Sequence, residues 1–428
     1  MVLLSFNWLS RDGKLLLTAR ATRTFGYGFL SVTLSIYLKL VGYNDLLIGL
    51  LLSLTLVNSI IFTLIASFYA DRFGRRKMLI VYSLLMSMSG VIFFVSNNYI
   101  LLIISTLIGT INVTGSETGA FLSVEQAMLP QTLLKHEDSM KRQNTLFAIY
   151  NMVGTFAMSG GILLSGLPMI LEYQYGLSQV QSIKPLFLLY SLLGLGVAAS
   201  YFLLSKKIEI AYRDDGLNNH ERKNVTKKSL IQVLSPKSRK TVGKLSGLFA
   251  LDSFAGGFVI QSIVSLWFFT RFGADLSTIS YIFSIAGVLT AFSFLASAKI
   301  ADRIGLINTM VFTHIPSNIL LILVAFAPTL PIAIAFYLAR MALSQMDVPT
   351  RQSYVVGVVN EDERTAAVGI TNISRNVAQS ISPSIAGSIL QSLPSFLSAP
   401  FIIGGVLKII YDITLYLNFK RTKSSYEE

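Results

Sequence analysis

Eleven ionisable side chains sit inside long apolar runs, and they are the residues with chemistry to do: Arg20, Arg23, Glu117, Glu125, Asp252, Arg340, Asp347, Arg351, Arg375, Lys408 and Asp412. A charge in hydrocarbon costs at least about 2.5 kcal/mol, so each needs a partner, water or a task. Arginine presents a planar fork of donors that matches a carboxylate or a phosphate, which makes Arg340 the leading candidate to hold an anionic group. A carboxylic acid in a poorly hydrated cavity gains and loses a proton as its surroundings change, so Glu117, Asp252 and Asp347 are the candidate proton carriers. Arg23 and Asp252 occupy matching places, since Arg23-Thr24-Phe25-Gly26-Tyr27-Gly28-Phe29 and Asp252-Ser253-Phe254-Ala255-Gly256-Gly257-Phe258 share a Phe-x-x-Gly-Phe pattern. They are expected to face one another in a central cavity, either paired or held apart by a bound solute; the alternative is a static ion pair that fixes helix packing. Tyr27, Gln261 and Trp267 complete the candidate lining. Lys408 and Asp412, four residues apart, read as a pair that neutralises itself. Arg375 reads as a structural group beside Asn372 and Asn376, and Arg20 either extends a basic stripe with Arg23 or reaches to lipid headgroups.

The elements that must hold these groups are long apolar helices. Of 428 residues 53% are hydrophobic and 13% charged, too little polar surface for a water-soluble globule. Apolar runs of spanning length fall at about 15–40, 46–69, 77–97, 99–122, 143–168 and 185–205, then at 244–269, 277–298, 308–328, 331–353, 366–391 and 400–419. The expected fold is an all-α membrane protein of 12 transmembrane helices in two pseudo-symmetric six-helix bundles, 1–205 and 244–419. A polar linker at 206–243 joins them, and a tail at 420–428 closes the chain. Pro349 and Pro383 are expected to bend their helices, and Gly160-Gly161 to admit close helix approach.

Of the 35 basic residues, 26 lie in segments on one side, three (Lys39, Lys184, Arg271) on the other and six within spans. Basic loops stay cytoplasmic, so both termini and the linker are expected inside a cell membrane crossed many times. That placement also turns the net charge of +13 away from nucleic acid. There is no cysteine, and no cleavable leader is evident before the first apolar run. His136, His220 and His314 read as scattered near loops with no common task. Without a serine–histidine pair, a metal-ligand cluster or a phosphate loop, neither an enzyme nor a cofactor is expected.

One motif occurs twice. Ala70-Asp71-Arg72-Phe73-Gly74-Arg75-Arg76-Lys77 follows the second span and Ala301-Asp302-Arg303-Ile304-Gly305 follows the eighth, 231 residues on, which points to internal duplication. Glycine suits the tight turn, the aspartate is expected to cap the next helix, and the arginines to hold adjoining helix ends. The alternative is a basic anchor with no gating role. With its helix count, central linker and duplicated loop, the chain resembles the major facilitator superfamily, whose loop has the form G-x-x-x-D-R-x-G-R-R/K. Ser67 replaces the leading glycine, and Leu306 and Ile307 stand where the second copy would be basic. Ser116 to Gln131 and Asp347 to Tyr354 look like a poorly characterised branch with drug/proton-antiporter-like character. The helix 4 arginine and helix 5 proline of the drug–proton antiporters are absent.

The resemblance implies two bundles rocking about a central site lined by helices 1, 4, 7 and 10. It gives Asp71, Arg72, Gly74, Arg75, Arg76, Asp302, Arg303 and Gly305 a gating role. The function expected is secondary active transport of a small solute by alternating access, proton-coupled, in the direction of export of a small organic compound. The alternatives are a carrier for a small anion held by intramembrane arginines, and a receptor or scaffold of the same fold that moves nothing. A solute, protons and the lipid bilayer are the expected partners of a monomer that binds no nucleic acid.

Overall fold

The computed structural model describes residues 8–116, 119–133, 139–205, 234–360 and 363–422. Most of the expected linker, the last six residues and Glu117 lie outside them, as do the side chains of Asp71 and Arg72. Among the described residues there are α-helices and no β-strand. The first half holds α1 (Arg11–Val41), α2 (Asp45–Phe73), α3 (Arg75–Val95), α4 (Tyr99–Ile108), α5 (Ala120–Met128), α6 (Ser139–Leu164), α7 (Leu167–Tyr175) and α8 (Gln179–Phe202). The second holds α9 (Pro236–Gly257), α10 (Gln261–Phe272), α11 (Leu276–Ile304), α12 (Leu306–Ala325), α13 (Leu330–Ser344), α14 (Asp347–Gly357), α15 (Arg364–Ser392) and α16 (Ala399–Phe419). Nine stretches among the described residues are long and apolar enough to cross a membrane.

Short polar side chains start these helices by taking up backbone donors that have no carbonyl one turn back. Ser10, Asn44, Asn98 and Ser235 accept from N–H groups in the first turns of α1, α2, α4 and α9, and Ser178 forms a reciprocal box with Gln181 at α8. Three runs that read as continuous spans are interrupted. The fourth breaks between α4 and α5, the seventh at Phe258–Ile260 and the tenth at Gln345 and Met346. Phe258–Ile260 is apolar and apolar periodicity does not register it, whereas Gly109, Asn112, Gly115 and Gln345 are breakers that a reading by hydrophobic length passes over; all three interruptions correct the sequence reading. The last break lets Pro349 fall in the first turn of α14, where its missing N–H has no partner to lose. Pro383 stays inside α15.

The Cα framework divides into two compact units, residues 1–211 with 260–284, and 212–259 with 285–428. The first keeps α10, which the sequence groups with the second half. A ladder of hydroxyls ties that helix to α1: Ser35 donates to the Ser262 carbonyl at 2.6 Å, Ser262 to Ser31 at 2.7 Å and Ser265 to Val32 at 2.7 Å. Helix pairing repeats within each unit. α1 packs on α6 and α8, and α3 on α8, while α9 packs on α15 and α16, and α12 on α16. The expected duplication thus appears as the same packing plan in each unit.

In the second unit Glu363 bridges a loop to a helix start. It accepts from Ser238 Oγ at 2.5 Å, from the Ser235 N–H at 2.5 Å and from Asn360. The Ser238 hydroxyl and the backbone donor of Ser235 hold its carboxyl below the usual glutamate range. A depressed carboxylate contributes stability above that usual range and loses it as pH falls through the lowered value.

Close approach of α1 and α6 rests on two glycines. A Cβ on Gly161 would run into the Phe25 carbonyl and one on Gly28 into the Met158 carbonyl, whereas one on Gly160 would meet the Phe25 ring at an ordinary 3.7 Å. Overpacking of this kind costs about 1–3 kcal/mol. Gly161→Ala is therefore expected to lower the melting temperature of the purified protein, and Gly160→Ala to leave it within error; equal effects would contradict the packing account.

Candidate functional site

In the first unit one buried ion pair is matched at every donor and acceptor that it offers the other. Arg23 and Glu125, both at 0% exposure, form a two-pronged ion pair at 2.7 Å (Nη2–Oε2) and 3.1 Å (Nη1–Oε1). Arg23 also donates to the Tyr201 hydroxyl at 2.6 Å, Tyr201 donates to Glu125 at 2.5 Å, and Tyr150 donates to the other carboxylate oxygen. The guanidinium lies over the Phe121 ring at 4.4 Å, and Arg20 lies over Tyr150 at 3.9 Å. Four elements, α1, α5, α6 and α8, meet at this pair. Arg23, expected to line a cavity opposite Asp252, is instead enclosed and takes Glu125 of its own unit as partner. Glu125 was among the buried charges in the sequence without a role; what pointed to it was the need of Arg23 for a carboxylate.

Beside this pair, a small cleft opens between α1, α2 and the interrupted α4–α5 segment. Tyr27, Phe62 and Phe121 supply aromatic walls, and Thr55, Asn58, Ser59, Thr110, Asn112 and Thr114 supply uncharged polar groups. Asn58 donates to the Thr106 carbonyl at 3.0 Å and to that of Gly109, which holds the end of α4 where its helix stops. Gln261 donates to Ser31 at 3.0 Å, and Trp267 is buried against Phe268 and Phe272. Of the expected lining residues in this unit, Tyr27 lines the cleft, while Gln261 and Trp267 serve the α1–α10 contact and an aromatic cluster.

The duplicated loops turn at glycine. Gly74 has φ 100° and Gly305 φ 87°, in the region that favours glycine, and each N–H returns to the alanine of its motif. Arg75 donates to the Ala127 carbonyl at the end of α5 at 3.2 Å, and Arg76 to the Phe202 carbonyl at the end of α8 at 2.6 Å. These arginines hold adjoining helix ends, as expected. The expected aspartate cap is corrected in the second copy: α12 has no side-chain cap, and Asp302 and Arg303 are exposed.

The second unit concentrates its charges around α9. Asp252 Oδ1 lies 2.6 Å from Lys408 Nζ, and its Oδ2 lies 3.4 Å from Arg351 Nη1. Arg351 also pairs with Asp347 at 2.6 Å, one turn before it on α14. Asp412 binds His314 Nδ1 at 2.8 Å and accepts from Asn318 at 2.9 Å. Two readings are corrected here. Lys408 and Asp412 do not pair with each other, because the one faces α9 and the other α12; and His314 is 3% exposed in the middle of α12. Arg375 donates to the Ser253 hydroxyl at 2.9 Å. Arg340, 8% exposed on α13, donates to the Met341 sulfur at 3.3 Å, its Nε is unmet, and no described carboxylate lies within ion-pair distance.

The duplicated glycine turns and the repeated packing plan agree with the sequence comparison, in which the Major Facilitator Superfamily matches residues 16–383 and, in a second match, 247–427. The chain belongs to the major facilitator superfamily. Its chemistry is that of a secondary transporter fold, in which solute moves and no bond is made. It is 28% identical over 437 residues to the uncharacterized membrane protein YJR124C of Saccharomyces cerevisiae, covering 98% of this chain and 96% of the relative. Three solved major facilitator structures share its fold. The peptide transporter POT in complex with sulfate has a TM-score of 0.75 at 12% identity, covering 97% of this chain and 96% of that one. The D-xylose–proton symporter has 0.70 at 14% (97% and 99%), and the nucleoside transporter NupG has 0.69 at 14% (96% and 100%).

Removing one partner of a buried ion pair strands the other, at about 3–5 kcal/mol, whereas replacing both with apolar residues is close to neutral. Arg23→Gln is expected to destabilise the protein strongly in thermal unfolding, and Arg23→Met with Glu125→Leu to recover most of the loss. A double variant as unstable as the single one would mean that the pair acts by more than mutual neutralisation.

Proposed function

We propose that this major facilitator protein carries a small solute bearing an anionic group, and that Arg340 holds that group. The observation that carries the reading is a buried guanidinium with no carboxylate at ion-pair distance among the described residues, in a unit where Asp252, His314, Asp347, Arg351, Lys408 and Asp412 are paired and half-buried Arg375 meets a hydroxyl. Within the spans of the second unit, Arg340, Arg351, Arg375 and Lys408 stand against Asp252, Asp347 and Asp412, leaving one positive charge in excess while His314 is neutral. An arginine fork in a dry site gains most from a carboxylate, phosphate or sulfate that meets two of its donors at once. The reading places twelve spans in a cell membrane: the nine apolar stretches, the two broken pairs α4–α5 and α13–α14, and the more polar α15. Both termini are cytoplasmic, and the monomer moves its solute by alternating access with protons as the coupling ion. Asp252 and Asp347, the expected proton carriers on described residues, each already have a cation at ion-pair distance.

A second reading, export of an uncharged or amphipathic organic compound, draws on the first unit's cleft. Its aromatic walls and neutral polar groups offer stacking and hydrogen bonds without a charge. The drug/proton-antiporter-like branch would sit with this reading.

Ligands that bind the folded state raise its melting temperature. A thermal-shift panel of small carboxylates, phosphates and sulfates, set beside neutral sugars, nucleosides and organic cations, is expected to give stabilisation confined to the anions. Arg340→Gln should abolish it. Stabilisation by neutral compounds alone, unchanged in Arg340→Gln, would favour the second reading and end the first.

A further inference from the structure

One buried imidazole, that of His314, has no part in the proposed function. His314 lies between two carboxylates: its Nδ1 is 2.8 Å from Asp412 Oδ1 and its Nε2 is 4.0 Å from Asp252 Oδ1. That same Asp252 oxygen is the one Lys408 Nζ reaches at 2.6 Å. Two nitrogens thus converge on one oxygen from different helices, Lys408 from α16 and His314 from α12. Asn318, one turn after His314, donates to the second oxygen of Asp412 at 2.9 Å and fixes that carboxylate against the ring. Tyr411 stands edge-on to the imidazole with ring centroids 6.1 Å apart.

We infer that His314 is the proton-binding residue of the second unit, and that its charging competes with Lys408 for Asp252. A neutral imidazole has one N–H, and the shorter contact places it on Nδ1, donating to Asp412; Nε2 then faces Asp252 with a lone pair. A proton arriving on Nε2 makes a second donor, and the nearest acceptor is the oxygen already held by Lys408. Imidazole is the side chain whose ordinary titration lies near neutrality, so this is the group of the cluster suited to respond to physiological pH. The charges facing it are Asp252 on α9, Asp347 on α14, and Lys408 and Asp412 on α16, while Arg351 on α14, Arg375 on α15 and Arg340 on α13 act on Asp252.

The inference deepens the anion reading and rests on it for its functional consequence. Ser317, on the turn after His314, donates to the Arg340 carbonyl at 3.4 Å, so the imidazole and the solute-binding arginine belong to two helices in direct contact. A proton on His314 adds a second positive charge in excess to the cluster. Anion binding and proton binding then favour one another, and by linkage each raises the affinity of the other by the same factor.

The test uses the full chain in lipid nanodiscs with isotope-labelled histidine. His136→Gln and His220→Gln remove the other two imidazoles, and the His314 ring shifts are followed by NMR from about pH 5 to 9. One titration is expected, moved to lower pH by about one unit or more in Asp412→Asn and to higher pH in Lys408→Gln. A ring that keeps one charge state throughout, or a titration indifferent to both variants, would overturn the inference. His314→Gln, a neutral change, guards against variants that do not fold. With sulfate and benzenesulfonate as probes, thermal stabilisation of the His314 protein is expected to grow about tenfold in apparent affinity as pH falls through the titration, and that of His314→Gln to be flat. If the ring titrates and neither probe stabilises at any pH, the anion reading fails and the protonation site stands. If the probes stabilise equally at every pH in both proteins, the proposed coupling fails and the anion reading stands.

Discussion

The rest of the structure depends on the cost of placing charge where water cannot reach it. The two units meet that cost differently. The first encloses an ion pair: Arg23 and Glu125 bind each other through two contacts, two tyrosine hydroxyls add hydrogen bonds, and an aromatic ring covers the guanidinium. The second unit distributes its charges over five helices, with carboxylates shared between cations and buried Arg340 without a described carboxylate at ion-pair distance. A closed pair gives rigidity, whereas an open and unbalanced network can be rebalanced by a ligand or a proton.

The matching positions Arg23 and Asp252 make this contrast sharper. Both stand in the helix that opens their half, and the duplication relates them, yet the sign is inverted. In the first unit α1 supplies the cation and α5 the anion. In the second, α9 supplies the anion, and α14 and α16 supply the cations. Duplication thus kept the packing plan and let the electrostatics diverge. That divergence is what gives the two halves different work, a clamp in one and a responsive cluster in the other.

Much of the fold was legible in the sequence because hydrophobic length and loop charge are local properties. The spans, the duplicated Ala-Asp-Arg-x-Gly turn and the grip of Arg75 and Arg76 on helix ends follow from spacing alone. The helix breaks at 109–116, at Phe258–Ile260 and at Gln345–Met346 do not show in hydrophobic length, because the second is wholly apolar and the others are short polar interruptions inside runs that stay apolar on average. The pairings were legible only as a list of charges needing partners. Lys408 and Asp412 invited an i,i+4 reading because that geometry is visible along one helix. Their real partners, Asp252 and His314, lie 156 and 98 residues away in sequence. His314 reads as one more scattered histidine for the same reason. The signal that would have recovered it is the placement of a histidine two residues before Pro316 within a run of spanning length, far from either loop.

The central claim is that unbalanced positive charge around Arg340 is there to receive an anion that the protein moves. Charge movement on a solid-supported membrane reads it directly. Proteoliposomes containing the full chain are exposed in turn to small organic anions, sulfate and neutral sugars. The account predicts transient currents on anion addition that vanish in Arg340→Gln and return in part in Arg340→Lys. Currents of undiminished size in Arg340→Gln would contradict it.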